Sequence, residues 1–184
     1  TCIEDYMDHL LASPEEKGLL CSDLLIGVTS FFRDEAAFKS LGEHVLAPLL
    51  RKKKSVRIWS IACSTGEEAY SIAILLCEYM ERLNYNADVK IFASDTDPDA
   101  IAVAQRGFYT EGSLASINEL MIEKYFDKKE EGYIIKDMIR KMIVFARHNI
   151  FRDAPFSKLD LIVCRNMFIY VKPEVQKRTI GNFH

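Results

Sequence analysis

The chain has 184 residues, 49% of them hydrophobic, which suffices for one filled core and hardly for two. A formal charge of -3 gives no basic bias, so nucleic acid is not an expected partner. The five cysteines, Cys2, Cys21, Cys63, Cys77 and Cys164, are odd in number and lack C-x-x-C spacing, which excludes a disulfide framework and a metal cluster and predicts free thiols in a reducing compartment.

No apolar run is long enough to cross a bilayer and no signal peptide opens the chain, so a soluble, cytoplasmic protein without membrane insertion is expected. Thr1 at the start, and His184 inside a predicted helix, suggest part of a longer protein. In residues 1–26 apolar side chains recur at Ile3, Tyr6, Met7, Leu10 and Leu11, then at Leu19, Leu20, Leu24, Leu25 and Ile26. Ser13-Pro14 separates the two sets, which reads as two short helices leading into one main domain over 27–184. After G-V-T-S-F-F-R at 27–33, Asp34 is a suitable N-cap for a helix over 35–50, and Phe31 and Phe32 read as core. The run Arg51-Lys52-Lys53-Lys54 suits the negative end of that helix and reads as a solvated loop.

From Val56 the chain runs V-R-I-W-S-I, a buried strand, then breaks into A-C-S-T-G and the helix that begins at Glu67. The small residues at 62–66 allow close approach of a ligand, and Gly66 can adopt positive φ. A helix N-terminus there offers unpaired amides to a carboxylate or phosphate. Glu67 and Glu68 in the same turn would repel a phosphate, which points to a ligand carrying hydroxyls or a cation, such as a ribose or a sulfonium. The helix extends to about residue 83, with Ala69, Ile72, Ala73, Leu76 and Met80 on one stripe facing a sheet. A second strand, V-K-I-F-A-S-D from Val89, ends in Asp95, placed to meet ribose hydroxyls in a doubly wound sheet. Asp97-Pro98 starts the next helix as a cap, so Asp97 only supports Asp95, and Gly107 ends that helix. The G-x-G-x-x-G pattern is missing, which disfavours a dinucleotide and leaves another adenosyl cofactor open.

Ser116 and Glu119 fit a capping box for a helix reaching about residue 126, followed by a charged turn over 128–132. Strands are expected at 133–135 and 142–146, the latter ending in R-H-N-I, where His148 reads as structural. L-D-L-I-V-C at 159–164 has the most buried character of all the strands, with Arg165-Asn166-Met167 at its carboxyl end, and Lys172-Pro173 begins the last helix.

Five motifs in this order, T-S-F-F-R-D, C-S-T-G-E-E-A-Y-S, S-D-T-D, H-N-I and C-R-N-M-F-I-Y, resemble the CheR-type bacterial chemotaxis receptor methyltransferases, over about residues 24–184. The wording of V-T-S-F-F-R-D and F-S-K-L-D-L-I-V-C-R-N is most similar to versions inside larger proteins carrying methylesterase or sensory domains. The resemblance implies an α/β, Rossmann-like class I fold whose sheet has the order 3-2-1-4-5-7-6, here ending after the fourth strand. Residues 1–26 would then be the tail of an N-terminal helical domain. It also implies S-adenosylmethionine as cofactor, with S-adenosylhomocysteine as product, and esterification of glutamates on methyl-accepting chemotaxis receptors or related signalling proteins. Thr29, Arg33, Glu68, Asp95, Asn149, Ile150, Asn166 and Met167 take cofactor-binding positions, and Arg33 and Tyr170 lie toward the substrate. No metal site is implied. A small β-subdomain that some members use to grip receptor tails is not visible in the strand pattern. An apolar fourth strand left at the sheet edge would be covered, or would pair with a second copy in a dimer. A donor-binding regulatory module without turnover and an NAD-dependent oxidoreductase are the alternatives.

Overall fold

Alternating strand and helix patterns fold here into a parallel sheet flanked by helices, with a small antiparallel sheet set against them. The computed structural model describes residues 3–14, 16–17, 20, 29–181 and 183, with Tyr170 described in its backbone only. The second predicted helix falls mostly outside these residues, as do Cys2, Cys21 and Gly27. In chain order the described helices are α1 (Ile3–Ala12), α2 (Glu35–Leu41), α3 (Ala47–Lys52), α4 (Glu67–Arg82), α5 (Pro98–Arg106), α6 (Glu119–Tyr125), α7 (Asp137–Arg140) and α8 (Pro173–Gly181). The strands are β1 (Ser55–Ile61), β2 (Asp88–Asp95), β3 (Phe108–Tyr109), β4 (Phe126–Lys129), β5 (Gly132–Ile135), β6 (Ile143–Arg147) and β7 (Leu161–Cys164).

The main sheet has the order β6-β2-β1-β7 with every pair parallel, which is the 3-2-1-4 half of the expected topology. Its register lines up Leu161, Ile58, Ile91 and Ile143 in one row, and Val163, Ser60, Ala93 and Phe145 in the next. Because side chains alternate along a strand, both rows face the same side, where α4 packs. On the opposite side Trp59 is fully buried among His148, Phe156 and Phe183, with ring centroids 5.1 to 5.7 Å away, and its indole N–H donates to Ser94 Oγ at 2.8 Å. Burial on both faces explains the apolar Val56, Ile58, Trp59 and Ile61 of β1.

The α4 helix is buried on more than its predicted stripe. Ala69, Ile72, Ala73 and Leu76 face the sheet as expected, yet Tyr70, Ile74 and Tyr79 are buried too. The small sheet, order β3-β5-β4, brings Tyr109 and Phe126 against Phe31, at 4.9 and 5.6 Å between centroids, and so closes the outer side. This antiparallel sheet is a small β-unit that was not visible in the strand pattern of the sequence. The stretch taken as the end of a helix and a charged turn is instead the β4–β5 hairpin, with Lys129 paired to Gly132 around Glu130-Glu131.

Three local expectations are also corrected. Asn118, not Ser116, caps α6, accepting from Met121 N–H at 2.9 Å, while the Ser116 hydroxyl donates to Phe31 O at 2.7 Å. The helix over 35–50 is broken by a π-helical segment, Gly42–Leu46, in which Ala47 N–H reaches back to Gly42 O just before Pro48, which has no N–H to give. Within β7 only Val163 is buried and its three neighbours are half-buried, because β7 is an edge strand with a partner on one side only. Asp34, Asp97 and Gly107 end or start their helices as expected.

Gly42 offers a test in which two effects oppose each other. Alanine is favoured over glycine in a helix by about 1 kcal/mol, but a Cβ on Gly42 would lie 2.5 Å from Cε2 of buried Tyr79. Packing is expected to win, so Gly42→Ala should lower stability by about 1–3 kcal/mol in urea denaturation. A gain in stability would show that Tyr79 moves aside freely.

Candidate functional site at the carboxyl end of the sheet

Beyond Ile61 the backbone turns through left-handed residues at Ala62 (φ 56°), Ser64 (φ 48°) and Gly66 (φ 99°) before α4 begins. The loop is held from both sides. Cys63 N–H donates to Ser94 O at 3.0 Å, and Ser64 N–H donates to Asp95 Oδ2 at 2.8 Å. The other Asp95 oxygen accepts from Asp97 N–H at 3.0 Å, and Asp95 O accepts from His148 N–H at 2.9 Å. Asp95, expected only to face a ligand, therefore also ties the β1 loop to β2 and to β6. Gly66 is required less for a ligand than for packing: a Cβ there would sit 2.9 Å from the Ala104 Cβ and 3.2 Å from the Tyr109 hydroxyl.

The two acids that open α4 have different environments. Glu67 is only 6% exposed and accepts from the Thr65 hydroxyl at 2.7 Å. Burial pushes its carboxyl above the ordinary value, against the pull of the Thr65 bond and of its own amide. An acid of this chain thus already lies in the first turn of the helix, where it disfavours a phosphate. Glu68 is half-buried, and its Oε1 accepts from Ser60 Oγ at 2.8 Å while Oε2 lies 3.7 Å from Arg165 Nη1. Burial raises its carboxyl as well, and Ser60, Arg165 and Arg33 pull it back.

The segment 29–34 lies over the same end of the sheet. Thr29 is half-buried, Arg33 is exposed, and Phe31 is anchored at 0% exposure. Phe32 N–H donates to Ser71 Oγ at 2.9 Å, tying the segment to α4. After β7, Arg165 Nη2 donates to Arg33 O at 2.7 Å and lies 3.8 Å from the Asp34 carboxylate. Asn166 is exposed with φ 60°, Met167 is half-buried, and Tyr170 closes a short turn, its side chain outside the described atoms. After β6, Asn149 and Ile150 are half-buried, and the Asn149 side chain accepts from Phe151 N–H at 2.9 Å, which shapes its own loop. His148 fits its structural reading: Nε2 donates to Ala154 O at 3.0 Å and the ring stacks on Phe156.

Strain concentrates here. Among the described residues seven non-glycines have left-handed φ, and five of them, Phe32, Asp34, Ala62, Ser64 and Asn166, lie in these loops. Such conformations cost about 1–3 kcal/mol each and gather at functional sites. Sequence reasoning missed Arg165, Ser60 and the Ser64 amide; the arginine stands in the quoted C-R-N motif, but its long-range partners have no local signature. An open groove of about 580 Å³, lined by Asp99, Ala102, Val103, Gln105, Arg106 and Arg140, includes none of the expected site residues. Among the described residues no group of three His, Cys, Asp or Glu side chains could hold a metal ion, and no helix is long and apolar enough to cross a membrane.

The donor set suits a cationic, hydroxyl-bearing cofactor. Glu68 and Asp95 each keep acceptor capacity beyond the bonds already made, and a phosphate would meet acids where it needs amides. These features define an α/β domain with a candidate cofactor crevice at the carboxyl ends of the strands.

Comparison with known proteins places it further. Residues 27–184 match the CheR methyltransferase, SAM binding domain. The chain is 34% identical over 186 residues to a probable chemotaxis protein methyltransferase of Rhizobium etli, covering 95% of this chain and 69% of that protein. It is also 34% identical to chemotaxis protein methyltransferase 2 of Vibrio cholerae, covering 94% of this chain and 62% of that one. An uncharacterized 104.1 kDa protein of Rhodobacter capsulatus is 39% identical, but this chain spans only 19% of its length. A SAM-dependent methyltransferase from Thiobacillus denitrificans, solved with S-adenosyl-L-homocysteine, is 13% identical with a TM-score of 0.43, over 87% of this chain and 48% of that one. The chain belongs to the CheR methyltransferase family, and its cofactor is S-adenosylmethionine.

Two stability measurements check the loop. Gly66→Ala combines positive φ with contact against Ala104, and should cost about 2–4 kcal/mol in chemical denaturation. Glu67 binds its proton more tightly folded than unfolded, so it lowers stability as pH rises above the ordinary glutamate value of 4.5. Glu67→Gln should therefore gain on the parent protein as pH is raised from 4 to 7, and parallel curves would show that Glu67 is not held above its unfolded value.

Proposed function

We propose that this chain is the methyltransferase domain of a protein-glutamate O-methyltransferase that esterifies glutamate side chains of methyl-accepting chemotaxis receptors, or of a related signalling protein, in the cytoplasm. The family supports methylation, and the names of the relatives support chemotaxis. One structural observation carries the choice of a carboxylate substrate. The turn bearing exposed Arg33 is held by Arg165 beside the half-buried acid Glu68. A second cation, Arg33, is thereby displayed at the rim of the site beside Arg165, where it can orient an anionic side chain.

S-adenosylmethionine, when bound, supplies an electrophilic methyl group. A glutamate is already ionised at neutral pH, with an unperturbed pKa near 4.3, so the protein needs no general base. That agrees with a site in which His148 is committed to Ala154 and the aromatic stack. It agrees too with the thiols, since burial pushes Cys63 far up and Cys164 up to about 12, leaving neither a nucleophile. What the residues contribute is position: Glu68 and Asp95 hold the cofactor, Thr29, Asn149, Ile150, Asn166 and Met167 line it, and Arg33 and Tyr170 face the incoming carboxylate. Orientation of this kind can supply on the order of 7–11 kcal/mol.

The test is transfer of labelled methyl from S-adenosylmethionine to a chemotaxis receptor, followed by mild alkali. A glutamyl ester releases its label as methanol, whereas alkali-stable label would place the methyl on nitrogen or another atom and sink the proposal. Binding of S-adenosylhomocysteine without any transfer would leave a regulatory module in its place. Arg33→Ala is expected to slow transfer by roughly tenfold or more while changing S-adenosylhomocysteine affinity little. An equal loss in both would assign Arg33 to the cofactor.

A further inference from the structure

Arg165 is the most connected side chain at this end of the sheet, and its contacts join segments far apart in sequence. One terminal nitrogen donates to the Arg33 carbonyl across 132 residues and faces the Asp34 carboxylate, while the other faces Glu68. The guanidinium carbon lies 5.0 Å from the centre of the Phe38 ring, and the side chain is 24% exposed. A planar fork can serve a carbonyl and an acid on different prongs while its face rests on an aromatic ring. The compact ammonium of lysine cannot do all three.

We propose that Arg165 is the positioning residue of the cofactor site, a single guanidinium that locks the Glu68 carboxylate and the Arg33 turn to the carboxyl end of β7 so that both are preset before the cofactor arrives. The inference rests on the assignment of Glu68 to the cofactor. Its neighbours support it: Glu68 is faced by Arg165 and Arg33 as cations, by Cys63 and Cys164 as thiols held protonated by burial, and by Glu67 beside it on α4. Burial drives the Glu68 carboxyl upward, and Arg165 is one of the two cations that hold it down. Without that guanidinium, Glu68 takes up its proton at a higher pH and loses the charge it offers the cofactor.

Calorimetric titration with S-adenosylhomocysteine tests this on the full 184-residue chain, with circular dichroism confirming that each variant is folded. Arg165→Met should weaken binding by roughly tenfold or more, and the loss should deepen from pH 8 to pH 6. Arg165→Lys, which keeps the charge but not the fork, should lie between. In a Glu68→Gln background, Arg165→Met should cost less than it does alone, since two members of one coupled pair are not additive. Unchanged affinity in Arg165→Met, full affinity in Arg165→Lys, or additive losses in the double variant would each overturn the inference. If the unsubstituted chain fails to bind S-adenosylhomocysteine at all, the cofactor-site assignment falls and takes this inference with it.

Discussion

The amide of Ser64 lies in a loop whose backbone alternates into left-handed conformations, and its partner is the carboxylate of Asp95 on the neighbouring strand. That bond ties two strand ends together, and the peptide of Asp95 adds a third by accepting from His148. Strained turns persist only where their surroundings over-determine them. Here Ser94 and Asp95 supply the fixed side, Tyr109 holds Thr65 O at 2.7 Å, and Gly66 fits against Ala104 where no larger residue would. The loop proposed to meet the cofactor is thus shaped by β2, α5 and the small sheet together. A change at Asp95 disturbs loop geometry as well as ligand contact.

The electrostatics of the site follow from which acids are spent inside the protein. Glu67 turns inward to Thr65 in the first turn of α4, so an acid of the chain already stands at the positive end of that helix. Glu68 and Asp95 remain at the surface of the crevice, with Arg165 facing the first. This division removes the amide cradle that a phosphate needs and leaves acceptors suited to hydroxyls and to positive charge. Arg165 faces Glu68 at 3.7 Å and Ser60 donates to its other oxygen, so the carboxylate is positioned from two sides while lone pairs on both oxygens stay open to a ligand.

Much of this architecture was legible in the sequence because it is periodic or locally signalled. The alternation of apolar strand and amphipathic helix located the strands of the parallel sheet, the family resemblance implied their order, and Asp34, Asp97 and Gly107 marked helix ends through backbone chemistry that depends on near neighbours. What was missed depends on distant partners. The β4–β5 hairpin reads as a charged turn because Asp127, Lys128 and Lys129 face solvent, and only Phe126, buried against Phe31, shows that it is part of a sheet. Ser116 fitted a capping box in sequence, but its hydroxyl is drawn away by Phe31 O, 85 residues earlier, and Asn118 takes the cap. Arg165 looked like a flank to Asn166 because nothing nearby in sequence reveals Arg33 and Glu68 as its partners.

The sheet order explains why these particular loops meet. β1 lies inside the sheet with β2 on one side and β7 on the other, so the chain leaves β1 toward one edge and returns on the opposite side. In open α/β sheets that reversal opens a crevice at the carboxyl ends, where ligands bind. Asp95 stands at the β2 side of the crevice, Glu68 lies above β1 through its bond to Ser60, and Arg165 stands at the β7 side. A ligand lying across β1 would therefore meet the acids first and the Arg33 turn last. Between them stands Arg165, which faces Glu68 and donates to Arg33 O, so one guanidinium joins the acidic side of the crevice to the Arg33 turn.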